Sequence, residues 1–200
     1  MSTPYPVQNP LSRFNRLYAQ AVQLDRLVLP EPNAMSLATV GMSGNPSVRI
    51  VLMKDVDERG FVFYTNLEGR KGRELRTRPV AAICFHWAAL EVQVRAEGPV
   101  ELVSDAEADA YFATRPRESQ IGAWASIQSQ PIEHAKDLAL RVAEYERKFE
   151  GSDVPRPSHW SGFRLQPERI EFWKARPGRL HERHLYIRSG ESWTMETLYP

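Results

Sequence analysis

Cysteine is nearly absent from this chain: Cys84 is the single one in 200 residues. An internal disulfide is therefore excluded, which suits a reducing cytoplasm, and the apolar run AAICF around Cys84 reads as the setting of a buried, inert thiol. An excess of one charge is also lacking. With 26 Lys and Arg against 25 Asp and Glu, the formal charge is +1, so no global field draws the chain to nucleic acid or membrane. Any anion specificity has to be local. No apolar run approaches the ~20 residues of a membrane span, and the opening MSTPYPVQNP has neither the charged nor the hydrophobic part of an export signal. These absences lead to the expectation of a soluble cytoplasmic protein. The chain also has no P-loop, no G-x-G-x-x-G after a strand, no G-x-S-x-G and no H-E-x-x-H. Nucleotide hydrolysis, Rossmann-type nicotinamide binding and triad chemistry lack support.

What is present fits one domain spanning residues 1–200, with 42% hydrophobic residues to build a core and no internal repeat. Asn9 and Pro10 suit the cap and first turn of a helix over about residues 10–26, with Phe14, Leu17, Tyr18 and Ala21 at helical spacing. From residue 35 the pattern changes to short strands, over 35–40, 48–53, 61–65, 81–87, 91–96 and 99–103, with turns at 41–46 and at Gly98. Ser104 and Glu107 form a capping box that opens a helix through Thr114. Ala135, Leu138, Ala139, Val142, Tyr145 and Phe149 stripe a second helix, which stops at Gly151. Strands over 162–173 and 185–198 close the chain. So many closely spaced antiparallel strands predict a small barrel or strongly curled sheet, mainly β with flanking helices.

The segment RIVLMKDVDERGFVFYTNLEGRKG, residues 49–72, places cations where folding alone would not choose them. Its two β-rich runs flank Asp57-Glu58-Arg59-Gly60 and read as a β-hairpin. Asn66 then caps a short helix whose first turn holds Arg70 and Lys71, at the positive end of the dipole. A bound anion reverses the sign of that cost, which makes this a candidate phosphate cradle. In YFATRPRESQ, Tyr111, Arg115 and Ser119 recur every four residues, but Pro116 interrupts helical geometry. A kinked helix pair converges these groups on a second phosphate or a carboxylate; a solvated helix end is the plain alternative. RLHER alternates like a strand and puts Arg179, His181 and Arg183 on one face, either around an anionic ligand or merely exposed. His181 and His184 have no cysteine or carboxylate cluster beside them, so no metal is expected. Trp124 and Trp173 read first as core residues.

Taken in order, RIVLMK, FYTN with GRKG, RPRESQIGAWAS with QSQ, and IEFW followed by RLHER resemble the pyridoxine (pyridoxamine) 5'-phosphate oxidase family, from about Asn9 to the C-terminus. The resemblance implies a homodimeric split β-barrel that holds FMN between its subunits and oxidises a phosphorylated pyridine to pyridoxal 5'-phosphate, passing electrons to dioxygen. It assigns Arg49, Ile50, Val51, Leu52 and Lys54 to the strand lining the flavin, and Tyr64, Thr65, Arg70 and Lys71 to its phosphate end. Gln93, Gln128, Ser129, Trp173 and Arg183 match the remaining FMN contacts, part of them from the partner chain. Lys54, Tyr111, Arg115 and Ser119 match the substrate-phosphate groups, and Arg179 and His181, the catalytic pair, would lie over the pyridine ring. FMN would do the redox chemistry while the protein aligns the substrate.

Some positions depart from that pattern. Gly69 stands where many relatives offer a serine, the basic arm before the first helix is mostly lacking, and the end reads TLYP where relatives often have RL-x-P. A flavin oxidase of the same fold acting on another substrate, of the phenazine-pathway type, and a non-catalytic flavin-binding module remain the alternatives.

Overall fold

The computed structural model describes residues 9–200; the opening segment 1–8, read above as carrying no export signal, lies outside the described residues. Helix α1 (Pro10–Gln23) starts as its sequence dictates, with the Asn9 side chain accepting from the Leu11 N–H and proline in the first turn. It ends short of residue 26 because Leu24 turns extended and Asp25 starts a new turn, accepting from the N–H groups of Val28 and Leu29. Phe14 is fully buried and meets Phe61 edge-on at 4.9 Å and Phe85 at 5.0 Å. A cap contributes about 1 kcal/mol and burying a phenylalanine about 1.5–3 kcal/mol, so packing holds α1 to the sheet more than its cap does.

The remaining elements are β1 (Ala34–Val40), β2 (Pro46–Leu52), β3 (Asp55–Asp57), β4 (Gly60–Asn66), α2 (Arg70–Thr77), β5 (Val80–Trp87) and β6 (Val92–Leu102). They continue with α3 (Asp105–Ala113), α4 (Arg117–Ala125), α5 (Ala135–Lys148), β7 (Trp160–Leu165), β8 (Arg169–Lys174), β9 (Glu182–Ser189) and β10 (Ser192–Leu198). The strands run in the order β10-β9-β8-β6-β5-β1-β2, and a branch β3-β4-β7 joins through β6. Strand β6 carries both: residues 92–97 pair with β8 and residues 100–102 with β7. That shared strand curls the sheet into a split barrel around Met35, Leu37, Phe63, Phe85, Trp87 and Phe163. Alternation sets the lining, as in β5, where Ala81, Ile83, Phe85 and Trp87 point inward. Among the described residues no helix is long and apolar enough to cross a membrane.

Local readings from sequence need correction at several points. The hairpin around residues 57–60 is made by β3 and β4; β2 pairs with β1, because the chain breaks at residues 53–54 and starts a separate short strand. Asn66 does not cap α2: it accepts from the Glu68 N–H in a turn, and Gly69 occupies the cap position. β6 passes through Gly98 unbroken, since the Gln166 carbonyl oxygen lies 2.1 Å from where a Cβ would stand, and the strand needs a glycine there to be crossed so closely. The closing segments form four strands instead of two, with a reversal after Leu165. Arg179 lies in a 3₁₀ turn at φ 61, before β9 begins at Glu182, so Arg179, His181 and Arg183 do not form one strand face.

One buried carboxylate ties β1, β2 and α2 together. Glu74 accepts from Thr39 Oγ1 at 2.5 Å, Ser47 Oγ at 2.7 Å, Arg70 Nε at 2.9 Å and Arg49 Nη2 at 3.3 Å. Burial alone would raise its pKa; the hydrogen bonds from Ser47, Thr39, Arg70 and Arg49 outweigh that and lower it from 4.5 to about 2. A depressed folded-state pKa gives stability that is present above the ordinary value and lost as the folded group protonates. Acid unfolding followed by circular dichroism should therefore show stability falling between pH 4.5 and about 2. Glu74→Gln should be less stable at neutral pH and lose that acid step. Superimposable acid profiles for the two proteins would contradict the assignment.

Candidate functional site

A cleft of about 750 Å³ opens where the end of β2, strand β4, the start of α2 and the α3–α4 elbow meet. Ile50, Val51, Leu52 and Lys54 form one wall. Thr65, Lys71 and Gln128 stand at the α2 end, where Lys71 Nζ donates to Gln128 Oε1 at 2.7 Å and to Thr65 Oγ1 at 3.0 Å. Gly69 begins α2 without a side-chain cap, and the Arg70 N–H donates to Ser129 Oγ at 3.2 Å. A Cβ at residue 69 would lie 2.5 Å from Gln128 Oε1, so glycine there admits the glutamine to the helix start. Arg49 and Arg70 do not border the cleft; both turn onto Glu74. Among the described residues Lys71 has only neutral hydrogen-bond partners, and burial, aided by nearby Arg49, pushes its pKa down. An ammonium so placed is a seat for an anion.

The α3–α4 elbow supplies the other polar end. Thr114 closes α3 and Pro116 opens α4, so Tyr111, Arg115 and Ser119 converge through a broken helix. Arg115 Nη1 is buried without a hydrogen-bond partner among the described residues, while Cζ lies 4.7 Å from the Trp160 ring and 5.4 Å from that of Phe112. Burial lowers the Arg115 pKa against a smaller opposing effect of Tyr111. The floor is aromatic: Tyr64 stacks on Tyr111 at 4.1 Å and on Trp160 at 5.2 Å. Sequence reasoning missed Trp160. Its alignment opposite Asn66 becomes visible only once β7 is separated from β8.

Gln93, Trp173 and Arg183 are successive partners across β6, β8 and β9, away from the cleft. The His181 ring lies 4.5 Å from that of Trp173. Arg183 grips Glu171 with two bonds, at 2.8 and 3.1 Å, and donates to the Tyr199 carbonyl at 3.1 Å, while Arg95 also binds Glu171. Burial raises the Glu171 pKa, but the bonds from Arg183 and Arg95 outweigh it and leave the carboxyl below its ordinary range. Arg179 is exposed. His184 turns to the other face, where its Nδ1 lies 3.3 Å from Arg13 Nη2, so it diverges from His181. Strand β2 and strand β8 stand four steps apart in the sheet, about 19 Å at ordinary strand spacing.

Gly162 pairs opposite Tyr64, and a Cβ there would lie 2.7 Å from Tyr64 Cε1 and 3.0 Å from Val103 Cγ2. Gly162→Ala should push the ring off its stack and cost about 1–3 kcal/mol in urea unfolding, with an altered near-UV circular dichroism. An unchanged spectrum and midpoint would show that the stack does not depend on this position.

The family profile described as pyridoxamine 5'-phosphate oxidase matches residues 23–174, and that described as the pyridoxine 5'-phosphate oxidase C-terminal dimerisation region matches residues 160–200. A pyridoxine/pyridoxamine 5'-phosphate oxidase of Myxococcus xanthus is 57% identical over 192 residues, covering 96% of this chain and 92% of its own. That of Rubrobacter xylanophilus is 54% identical over 192 residues, covering 96% and 87%. PhzG from Burkholderia lata 383, solved in complex with tetrahydrophenazine-1-carboxylic acid, superposes with a TM-score of 0.89 at 30% identity, covering 100% of this chain and 98% of its own. An FMN-binding protein of Nostoc punctiforme related to pyridoxamine 5'-phosphate oxidase shares the fold, with a TM-score of 0.74 at 18% identity over 94% of this chain and 97% of its own. With both profiles and near full-length relatives in agreement, the chain belongs to the pyridoxamine 5'-phosphate oxidase family.

Proposed function

We propose that this chain is an FMN-dependent oxidase converting pyridoxamine or pyridoxine 5'-phosphate to pyridoxal 5'-phosphate, with dioxygen as electron acceptor and hydrogen peroxide as its product. The observation that carries the reading is that Lys71, on α2, and Arg115, at the α3–α4 elbow, border one cleft with neither paired to a carboxylate among the described residues. A buried donor left unmade costs about 1–3 kcal/mol, more when charged, and a phosphate at each end offsets that cost. Two phosphates, one on FMN and one on the substrate, match the two seats.

The donor set fits FMN. Lys71, Thr65, Gln128, Ser129 and the N–H groups opening α2 would hold its phosphate, with Arg49 and Arg70 supporting from the Glu74 network. Ile50, Val51, Leu52 and Lys54 would line the ring, with Tyr64 beside it. When bound, FMN would supply the two-electron chemistry and the route of the electrons to dioxygen. Lys54, Tyr111, Arg115 and Ser119 would grip the substrate phosphate. Gln93, Trp173, Arg179, His181 and Arg183 would come from the second copy of a homodimer, where Arg179 and His181 orient the pyridine ring and assist proton removal. The family's dimerisation region at residues 160–200, which contains four of these five, supports that arrangement. A cytoplasmic location fits the lone cysteine.

An oxidase of the phenazine-pathway type would have no substrate phosphate for Arg115 and Ser119 to hold, and a non-catalytic flavin module would bind FMN without forming peroxide. Purified, FMN-saturated protein should oxidise pyridoxamine 5'-phosphate and pyridoxine 5'-phosphate far better than their unphosphorylated forms. Arg115→Met should raise KM for the phosphorylated substrate roughly 10- to 150-fold, the loss expected for a hydrogen bond to a charged group. Equal rates with and without the substrate phosphate would overturn the reading. Separately, replacing Arg179 and His181 together should cut turnover strongly while the protein stays yellow with bound FMN; an unaltered rate would remove their role.

A further inference from the structure

Arg156 does not border the cleft, yet it makes contacts that an ordinary surface arginine does not. Its side chain is 12% exposed. Nε donates to Asp109 Oδ1 at 2.5 Å, Nη2 to Asp105 Oδ1 at 2.7 Å and Nη1 to the Trp160 carbonyl at 2.9 Å. The two aspartates stand one turn apart on α3, the helix that carries Tyr111 and Phe112, and Trp160 opens β7. One guanidinium thus fastens the helix to the strand.

Those are the two elements that aim Arg115. Its guanidinium rests on the rings of Phe112, from α3, and Trp160, from β7, and its Nη1 has no hydrogen bond among the described residues to fix its direction. Tyr111 lies nearly parallel to Trp160 across the same seam, 6.1 Å apart at 10°. We propose that Arg156 is a positioning residue for recognition of the substrate phosphate, setting the α3–β7 spacing that aligns Arg115 and Tyr111. The inference rests on the substrate reading given under Proposed function.

The geometry needs an arginine. Three acceptors lie in different directions around one planar fork, and a lysine ammonium can satisfy only part of that set. Charge pairing alone gives little reason for the cluster, because Asp105 and Asp109 are 88% and 61% exposed and such pairs add little stability. A merely stabilising role therefore predicts a small shift in melting temperature and no selectivity between substrates. A positioning role predicts a loss confined to the phosphate.

The test uses FMN-saturated protein carrying Arg156→Leu, Arg156→Lys, Asp109→Ala or Arg156→Leu with Asp109→Ala. KM and kcat are measured for pyridoxamine 5'-phosphate and for unphosphorylated pyridoxamine, and binding of pyridoxal 5'-phosphate against pyridoxal is followed by equilibrium titration. Arg156→Leu should raise KM for the phosphorylated substrate and weaken pyridoxal 5'-phosphate binding roughly five- to twentyfold, with kcat within about twofold and the unphosphorylated ligands unaffected. Arg156→Lys should recover part of the loss, and the double variant should be no worse than Arg156→Leu, since both changes break one link. Should Arg156→Leu fail to fold, Asp109→Ala, at an exposed helix position, carries the same comparison. Unchanged KM, or equal loss with phosphorylated and unphosphorylated ligands, overturns the positioning role while leaving the substrate reading intact. A wild-type protein without phosphate preference takes down both.

Discussion

The Glu74 carboxylate decides which positive charges around α2 are free. Arg49 and Arg70 both close on it, together with the hydroxyls of Thr39 and Ser47. A buried carboxylate without those partners would be too costly to keep ionised, and the two guanidiniums without it would repel one another at the helix start. Lys71 escapes this network. It points across to Thr65 and Gln128, where burial works against its charge and no carboxylate among the described residues pairs with it. The same anchor that pins α2 to β1 and β2 therefore leaves one ammonium bordering the cleft with no carboxylate partner among the described residues.

The elbow between α3 and α4 produces a second unsatisfied cation by a different route. Proline at residue 116 disfavours helix at Arg115, so the chain reverses there and turns the guanidinium inward, over Trp160 and Phe112. Rings accept a cation on their faces but cannot satisfy its outer N–H groups, which is why Nη1 has no hydrogen bond among the described residues. The stack of Tyr111, Tyr64 and Trp160 then gives the space between the two cations a flat aromatic floor. Planar ligands that each carry one phosphate, as proposed, would suit that floor better than a compact inorganic anion.

Patterns confined to one element were legible in the sequence, and pairings between elements were not. Asn9-Pro10, the Ser104–Glu107 box and the strand over residues 81–87 each depend on neighbours a few residues away, and the structure shows them as read. The closely spaced antiparallel strands pointed to a barrel or curled sheet, and the resemblance to a known family made it a split barrel. Local signals failed where a distant contact outweighed them. Gly98 reads as a turn, but the approach of Gln166 makes it the crossing point of a continuous strand. Asn66 has the chemistry of a cap, yet its side chain serves the turn at Glu68. RLHER alternates like a strand, and the positive φ of Gly178 and Arg179 breaks the alternation. Glu74 drew no notice at all, because a glutamate on a short charged helix looks like a solvated one until β1 and β2 fold over it.

The residues assigned by family resemblance occupy two places in one chain, and the sheet explains why. Gln93, Trp173 and Arg183 stand on the face turned away from the core, the same face that carries Val48 and Ile50, which are 68% and 63% exposed. Counted along the sheet, β2 and β8 are four strand steps apart, roughly 19 Å. In the proposed homodimer a two-fold pairing of this face would bring the two places together, because an isologous contact sets one part of the first copy against a different part of the second and repeats the match in reverse. In the proposed dimer each cleft would take its cations from α2 and the elbow of one chain and its histidine and arginines from the other. The side chains that surround one ligand would then come together only on assembly, which ties the oligomeric state to the chemistry of the site.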